Sequence, residues 1–300
     1  MIAAIERRLE SSIVDQTPQP GGFSPAVASR VRLADGRRAF LKIVGPEPNP
    51  DSAEIYRTEA RNAAALPSSA PAPRLLWSLD DGEWVVIAFE DVNGRHPLIP
   101  WRAAELDRVL AAMADLAASL TPPPFDAPAI AAALGDQFVG WRRFAARPQA
   151  ADGIDPWAWD RLGPLAELEE RWTGASTGTT LLHTDVRADN ILLTEDRVLF
   201  VDWPHATVGA AWIDLMGMLP SVVMQGGPDP EPVFAAHPVA EGADPTDVDA
   251  VLAGLAGYFL WHGTLPAPPG LPTLRAFQSA QGERALSWLR QRLEREGGDP

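Results

Sequence analysis

The sequence has no cysteine, which at once excludes a disulfide scaffold, a thiolate nucleophile and a cysteine–zinc site. Its histidines (His96, His183, His205, His237 and His262) show no HxxxH spacing, so the zinc-enzyme pattern is missing too. No apolar run is long enough to span a bilayer, and the longest, Ala250–Trp261, suits a buried helix. Glu6, Arg7 and Arg8 break any signal-peptide core near the start. Positive charge is scarce: the net charge of −15 argues against nucleic acid or an anionic membrane as the main partner. These absences point to an acidic, soluble, cytoplasmic protein whose 300 residues are ample for a buried core.

Lysine is the scarcest of the common residues. Of 25 basic residues only Lys42 is a lysine, and all others are arginine. Thirty prolines and abundant alanine suggest a coding bias that favours arginine wherever either cation will serve. A surviving lysine then marks a place where a compact point charge is needed and a planar fork will not do. Lys42 sits in RAFLKIV, residues 38–44, an apolar run that reads as a strand. A charge turned inward there needs a partner.

Along the chain, the first ninety-odd residues read mainly as strands. Ser24–Leu33 and Arg38–Val44 flank an Asp-Gly turn at 34–37, which predicts an antiparallel hairpin. Asp51 and Ser52 supply cap chemistry for a helix ending before Pro67, and WVVIAF at 84–89 predicts another strand. Beyond Asn93-Gly94 the pattern turns helical, over 102–120, 127–146, 157–172, 211–224, 245–262 and 274–296. A strand-rich insert at 180–193 and 197–203 interrupts it. This predicts an α+β chain with a β-rich lobe over 1–94 and a larger helical lobe over 95–300.

Residues 181–203, LLHTDVRADNILLTEDRVLFVDW, carry the most specific pattern. A hairpin there is expected to bring Asp185, Asn190 and Asp202 to one end. A carboxylate that deprotonates a hydroxyl, with an amide oxygen and a second carboxylate to hold magnesium, is the set that phosphoryl transfer needs.

At these residues the sequence resembles the aminoglycoside phosphotransferases and their relatives, small-molecule kinases with a protein-kinase-like fold. HTDVRADN at 183–190 and VDW at 201–203 are similar to the family's catalytic loop and metal motif. Trp212-Ile213-Asp214-Leu215 resembles its downstream helix start, and Lys42, Glu59 and Pro73-Arg74-Leu75-Leu76 resemble its first-lobe elements. The resemblance implies a two-lobe fold, with a nucleotide-binding lobe over 1–94 and a catalytic and acceptor lobe over 95–300. It implies ATP or GTP as donor, Mg2+ as cofactor, and transfer to a small-molecule hydroxyl. It assigns Asp185 as base, Arg187 as a cation near the transferring group, and Asn190 and Asp202 as metal ligands. Lys42, Glu59, Ser24, Glu90 and Val92 would contact or support the nucleotide. Glu54 is the rival partner for Lys42, but it already has helix-start reasons to be acidic. Asp214 is expected to brace the catalytic loop, and His183 to orient it.

Several positions depart from the family pattern. Gly21-Gly22-Phe23-Ser24-Pro25 is the only glycine-rich turn before the lysine strand, and it reads as a phosphate loop or as an ordinary turn. Thr184 stands where glycine is usual. Arg187 could equally pair with Asp185 or Asp189. Between Ser221 and Leu274 there is no Lys or Arg, yet Asp229, Glu231, Glu241, Asp244, Asp247 and Asp249 are present. Such a run suits a cationic acceptor, for which the resemblance implies an aminoglycoside-like antibiotic and a role in resistance, or else a solubilising surface. Trp157, Trp159 and Trp172 could stack on that acceptor or fill the core. The other readings are a metabolic kinase for an amino alcohol or sugar, and a nucleotide-binding pseudokinase.

Overall fold

The computed structural model describes residues 1–19, 27–45, 50–147, 154–268 and 271–296. Two compact units emerge, one of Met1–Pro97 with Asp189–His205, the other of Leu98–Ala188 with Ala206–Pro300. The segment 189–205, which a linear division at 94 would leave in the second part, groups with the first. Helical and strand segments run in the order α1 (Ile2–Leu9), β1 (Ile13–Pro18), β2 (Val27–Leu33), β3 (Arg38–Val44), α2 (Pro50–Ala65), β4 (Leu75–Asp80) and β5 (Val85–Glu90). There follow α3 (Ala103–Ser119), α4 (Ile130–Leu134), α5 (Gly140–Ala146), α6 (Pro156–Trp159), α7 (Leu162–Glu170) and α8 (Trp172–Ala175). The short strands β6 (Thr180–Leu182), β7 (Ile191–Leu193), β8 (Val198–Phe200) and β9 (Thr207–Gly209) come next. The chain closes with α9 (Ile213–Met224), α10 (Pro230–Ala236), α11 (Pro245–Gly263) and α12 (Leu274–Glu296).

In the first unit an antiparallel five-stranded sheet runs in the order β1-β2-β3-β5-β4. The turn between β2 and β3 works because Gly36 supplies φ +88°, which a side chain would resist. Alternation along β3 sends Ala39 and Leu41 to one face, where Ile5 and Leu9 of α1 are buried against them. Each of those two side chains contributes about 1.5–3 kcal/mol by leaving water. Phe40 and Val44 face the other way, onto Tyr56 and Ala60 of α2. Lys42 shares that second face in the middle of the sheet, paired to Ala28 of β2 and Ile87 of β5. Neither α1 nor β1 is among the expected elements: α1 buries Ile5 and Leu9, four residues apart on one face, and β1 is exposed over all but its first residue.

In the second unit α11 is buried along most of its length and packs on α12. Gly257 lies so close to Gly140 that a Cβ on Gly140 would sit 1.9 Å from the Gly257 carbonyl oxygen. The helix expected over 127–146 is two helices, α4 and α5. Glu169 of α7 ends the continuity by accepting the N–H groups of Trp141 (3.0 Å) and Arg142 (3.1 Å), which caps α5 from a distant helix. The segment 157–172 is likewise broken into α6, α7 and α8, with Gly163 and Pro164 at the second start. Among the described residues no helix is long and apolar enough to cross a membrane.

Candidate active site

The first unit surrounds Lys42. Its Nζ lies 2.6 Å from Glu59 Oε1 and 2.8 Å from Asp202 Oδ1. Glu54 turns elsewhere, to Arg57 and Arg61. Burial pushes the Lys42 ammonium down, but the charges of Glu59 and Asp202 outweigh it and hold the group above its ordinary range. Burial raises Glu59, with Lys42 pulling it back.

Asp202 and Asn190 meet through β7 and β8. Ile191 pairs with Phe200, and the Val201 N–H donates to the Asn190 carbonyl at 2.9 Å, so the two residues flank the same end of the hairpin. Asp185, expected at that end as well, belongs to a loop of the second unit. Asp202 has φ +72°, a backbone state that costs energy for any non-glycine residue. The Asn62 amide, one turn beyond Glu59 on α2, donates to the Trp203 carbonyl at 2.8 Å and pins the segment after Asp202. Its i,i+3 spacing from Glu59 was the one sequence signal for it.

At the end of β5, Glu90 Oε1 accepts the Arg74 N–H at 3.2 Å. The Val92 carbonyl accepts from Gly94 N–H (2.9 Å) and from Arg30 Nη2 (2.5 Å), while the Val92 N–H has no partner among the described residues. Arg30 also pairs with Asp91 at 3.2 Å, as does Arg38 at 2.6 Å. No motif marked Arg30. Ser24 and the glycine turn around it lie outside the described residues.

In the second unit the loop after β6 carries Asp185. The buried carboxylate of Asp214, at the start of α9, accepts the N–H groups of His183 and Thr184, each at 2.8 Å. Burial raises that carboxyl to about 6, with the two N–H donors opposing. His183 is fully buried, and its Nδ1 accepts the Asp185 N–H at 3.3 Å. Thr184 has φ +64°, the conformation that explains why glycine would be at home there. Arg187 Nη1 lies 2.5 Å from Asp185 Oδ1, which is the pairing alternative for this arginine.

The acidic run has structural work to do. Asp229 caps α10 and Asp244 caps α11. Arg292 of α12 holds Asp249, and it reaches Glu231 at 2.9 Å. Of the tryptophans, Trp172 is buried against Phe138 at 4.7 Å, Trp157 lies between Arg161 (4.9 Å) and Arg290 (5.7 Å), and Trp159 is exposed.

Among the described residues no three His, Asp or Glu side chains cluster as a full metal cage. What the first unit offers is Asn190 and Asp202 at one end of the β7–β8 hairpin, with Asp202 in a trio with Lys42 and Glu59 that sums to one negative charge when all are ionised. The Asp202 side chain is 42% exposed. Two oxygen donors next to net negative charge fit a hard dication that keeps several waters.

Comparison with known proteins places this geometry in a family. No curated protein matches the chain. Among solved structures, aminoglycoside phosphotransferase APH(4)-Ia superposes with a TM-score of 0.63 at 14% identity, over 96% of this chain and 97% of that one. A putative fructosamine-3-kinase from Thermobifida fusca gives a TM-score of 0.60 at 21% identity, over 96% and 98%. Macrolide 2'-phosphotransferase MphH from Brachybacterium faecium gives 0.54 at 20%, over 93% and 95%. At these identities the likeness establishes the fold, a mixed α+β architecture shared with kinase-like aminoglycoside phosphotransferases. The profile of the phosphotransferase enzyme family matches residues 15–253, well over half of the sequence, and the chain belongs to that family.

Proposed function

We propose that the chain transfers the γ-phosphoryl group of a nucleoside triphosphate to a hydroxyl of a small molecule. The observation that carries this reading is Lys42, the sole lysine, held at 2.6 Å and 2.8 Å between Glu59 and Asp202. A buried ammonium tied to two carboxylates is a pre-positioned charge for a polyanion. Two structural neighbours support the donor and the acceptor class: APH(4)-Ia variants in ternary complexes, one with ADP and hygromycin B, one with AMP-PNP and hygromycin B.

In this reading Lys42 neutralises donor phosphates and Glu59 fixes its direction. Asn190 and Asp202 would hold magnesium, which supplies charge neutralisation on the phosphate oxygens when bound. The Val92 N–H is a donor for the nucleobase edge, with Arg30 holding the Val92 carbonyl behind it. Asp185 takes the proton of the acceptor hydroxyl as its oxygen forms a bond to the terminal phosphorus. The bond from that phosphorus to the bridging oxygen breaks, and nucleoside diphosphate leaves. Arg187 orients the Asp185 carboxylate, and Asp214 holds the loop backbone beneath it. The acceptor is a small molecule; of the six acids that suit a polycation or a solubilising surface, those at 229, 231, 244 and 249 also cap and tie helices.

The test is Asp185→Asn. Turnover in an ADP-release assay should fall by roughly 10²–10⁴, the worth of a general base. Magnesium-dependent nucleotide affinity should hold by calorimetry, because the phosphate-binding groups belong to other residues. A variant that keeps its turnover would overturn the assignment.

A further inference from the structure

The acceptor side of Asp185 can be read from the second unit alone. The Arg187 guanidinium, paired with Asp185, lies over the ring of Phe277 with 5.7 Å to its centre. Two residues earlier on α12, Arg275 gives its Nε to the Pro266 carbonyl at 3.0 Å and Nη1 to Gln278 Oε1 at 2.8 Å. Both partners are neutral oxygens. A guanidinium has five N–H donors, so these two bonds leave donors over, and among the described residues no carboxylate answers the Arg275 charge. Tyr258 of α11 is in electrostatic reach of Asp185, Arg275 and Arg187, and its ring lies 4.3 Å from that of His262. Burial first, then the charge of Asp185, pushes its phenol up, which keeps it a neutral donor. His262 in turn feels Arg275 and Arg143. Asp185, Arg187 and Arg275 thus act on Tyr258, and Arg275 acts on His262 as well.

We infer that the acceptor carries, beside its hydroxyl, a carboxylate that pairs with Arg275, and a flat or apolar body that lies against Tyr258 and Phe277. This rests on the phosphotransfer reading above and names its substrate class. A polycation would meet the charge of Arg275 head on. A carboxylate gains a two-pronged partner in Arg275, and its body gains the aromatic pair.

The test uses matched probes on the full chain: meta-hydroxymethylbenzoate, its primary amide, and meta-aminomethylbenzyl alcohol, with hygromycin B as the polycation. Binding is measured by calorimetry for the wild type, Arg275→Gln and Arg275→Lys. The carboxylate should bind about tenfold tighter than the amide, and the amine weakest. Arg275→Gln should level the series, and Arg275→Lys should recover part of the preference, which a misfolded variant would not do. Equal binding across the series, tighter binding of the amine or hygromycin B, no binding of the carboxylate, or an equal loss on all probes in Arg275→Gln would each overturn the inference. Phosphorylation is read separately. A carboxylate that binds through Arg275 yet is never phosphorylated with magnesium and ATP would leave the Arg275 site standing and sink the transfer reading.

Discussion

Thr184 pays a local cost for its place in the catalytic loop. A β-branched residue at φ +64° is strained by an amount on the order of 1–3 kcal/mol, and the strain persists because Asp214 grips the Thr184 N–H from below. Its hydroxyl recovers a little by donating to the His183 carbonyl at 2.8 Å. Thr184→Gly should therefore stabilise the protein by about 1 kcal/mol once the larger unfolded-state entropy of glycine is set against the relief of strain. Thermal or urea unfolding checks this, and a destabilised variant would mean that the Thr184 hydroxyl matters more than the backbone. Site residues of this kind were legible where a motif or a scarcity singled them out. Lys42 stood out as the sole lysine, and Asp185, Asn190 and Asp202 by their spacing. Arg30, Tyr258, Arg275 and Phe277 were not legible. An arginine among 24 and an aromatic residue on a helix carry no local mark of the neighbours that the fold brings to them.

At the scale of elements, the loop between β6 and β7 depends on one carboxylate from α9. When ionised, Asp214 accepts two backbone N–H groups; when protonated, it gives up one acceptor position to its own hydrogen. Turnover should thus show an acid limb with a midpoint near pH 6, where burial has moved this group. The stability sign is opposite. The unfolded chain releases the proton near 3.8 and the folded chain near 6, so the folded state binds more protons between those values. The contribution of Asp214 is full below about 3.8 and is lost as pH rises through about 6, a swing of roughly 3 kcal/mol. Urea unfolding of the wild type and Asp214→Asn across that range measures it: the wild type should lose stability relative to the variant as pH rises. A difference that stays flat with pH would remove Asp214 from this role. The elements themselves were read well where periodicity was long, as in α11 and α12. They were misread where a tertiary contact decides. Glu169 caps α5 from 28 residues further along, and no window over 127–146 contains that information.

The molecule as a whole carries a net charge of −15, and the question is where that charge acts. The sequence shows a run of six acids with no compensating base between Ser221 and Leu274, which suits a cationic acceptor or a solubilising surface. The fold gives four of the six a structural part, Asp229 and Asp244 as caps and Glu231 and Asp249 as partners of Arg292. Burial opposes the Arg292 charge, but its bonds to Asp249 and Glu231 outweigh this in a compact ion cluster joining α10, α11 and α12, with Trp288 Nε1 donating to Glu231 at 2.5 Å. Asp244 is held below the usual carboxylate range first by its bond from the Thr246 hydroxyl and then by the Thr246 N–H. Replacing Asp229, Asp244 and Asp249 together by alanine should therefore act on stability. The lost Asp229 cap costs about 1 kcal/mol, and the lost Asp244 cap adds to it. Removing Asp249 strips a buried partner from Arg292, which Glu231 still holds, and costs about 2 kcal/mol. The three sites lie on separate contacts except for the shared cluster, so the losses at Asp229 and Asp249 should add to about 3 kcal/mol, with Asp244 in the same direction. The melting temperature should fall by several degrees per kcal/mol at most, while the KM for any accepted hydroxyl compound, and its dependence on ionic strength, stay as in the wild type. An acceptor KM that rises and loses its salt dependence with the melting temperature intact would return these acids to the acceptor site, and with them a cationic substrate.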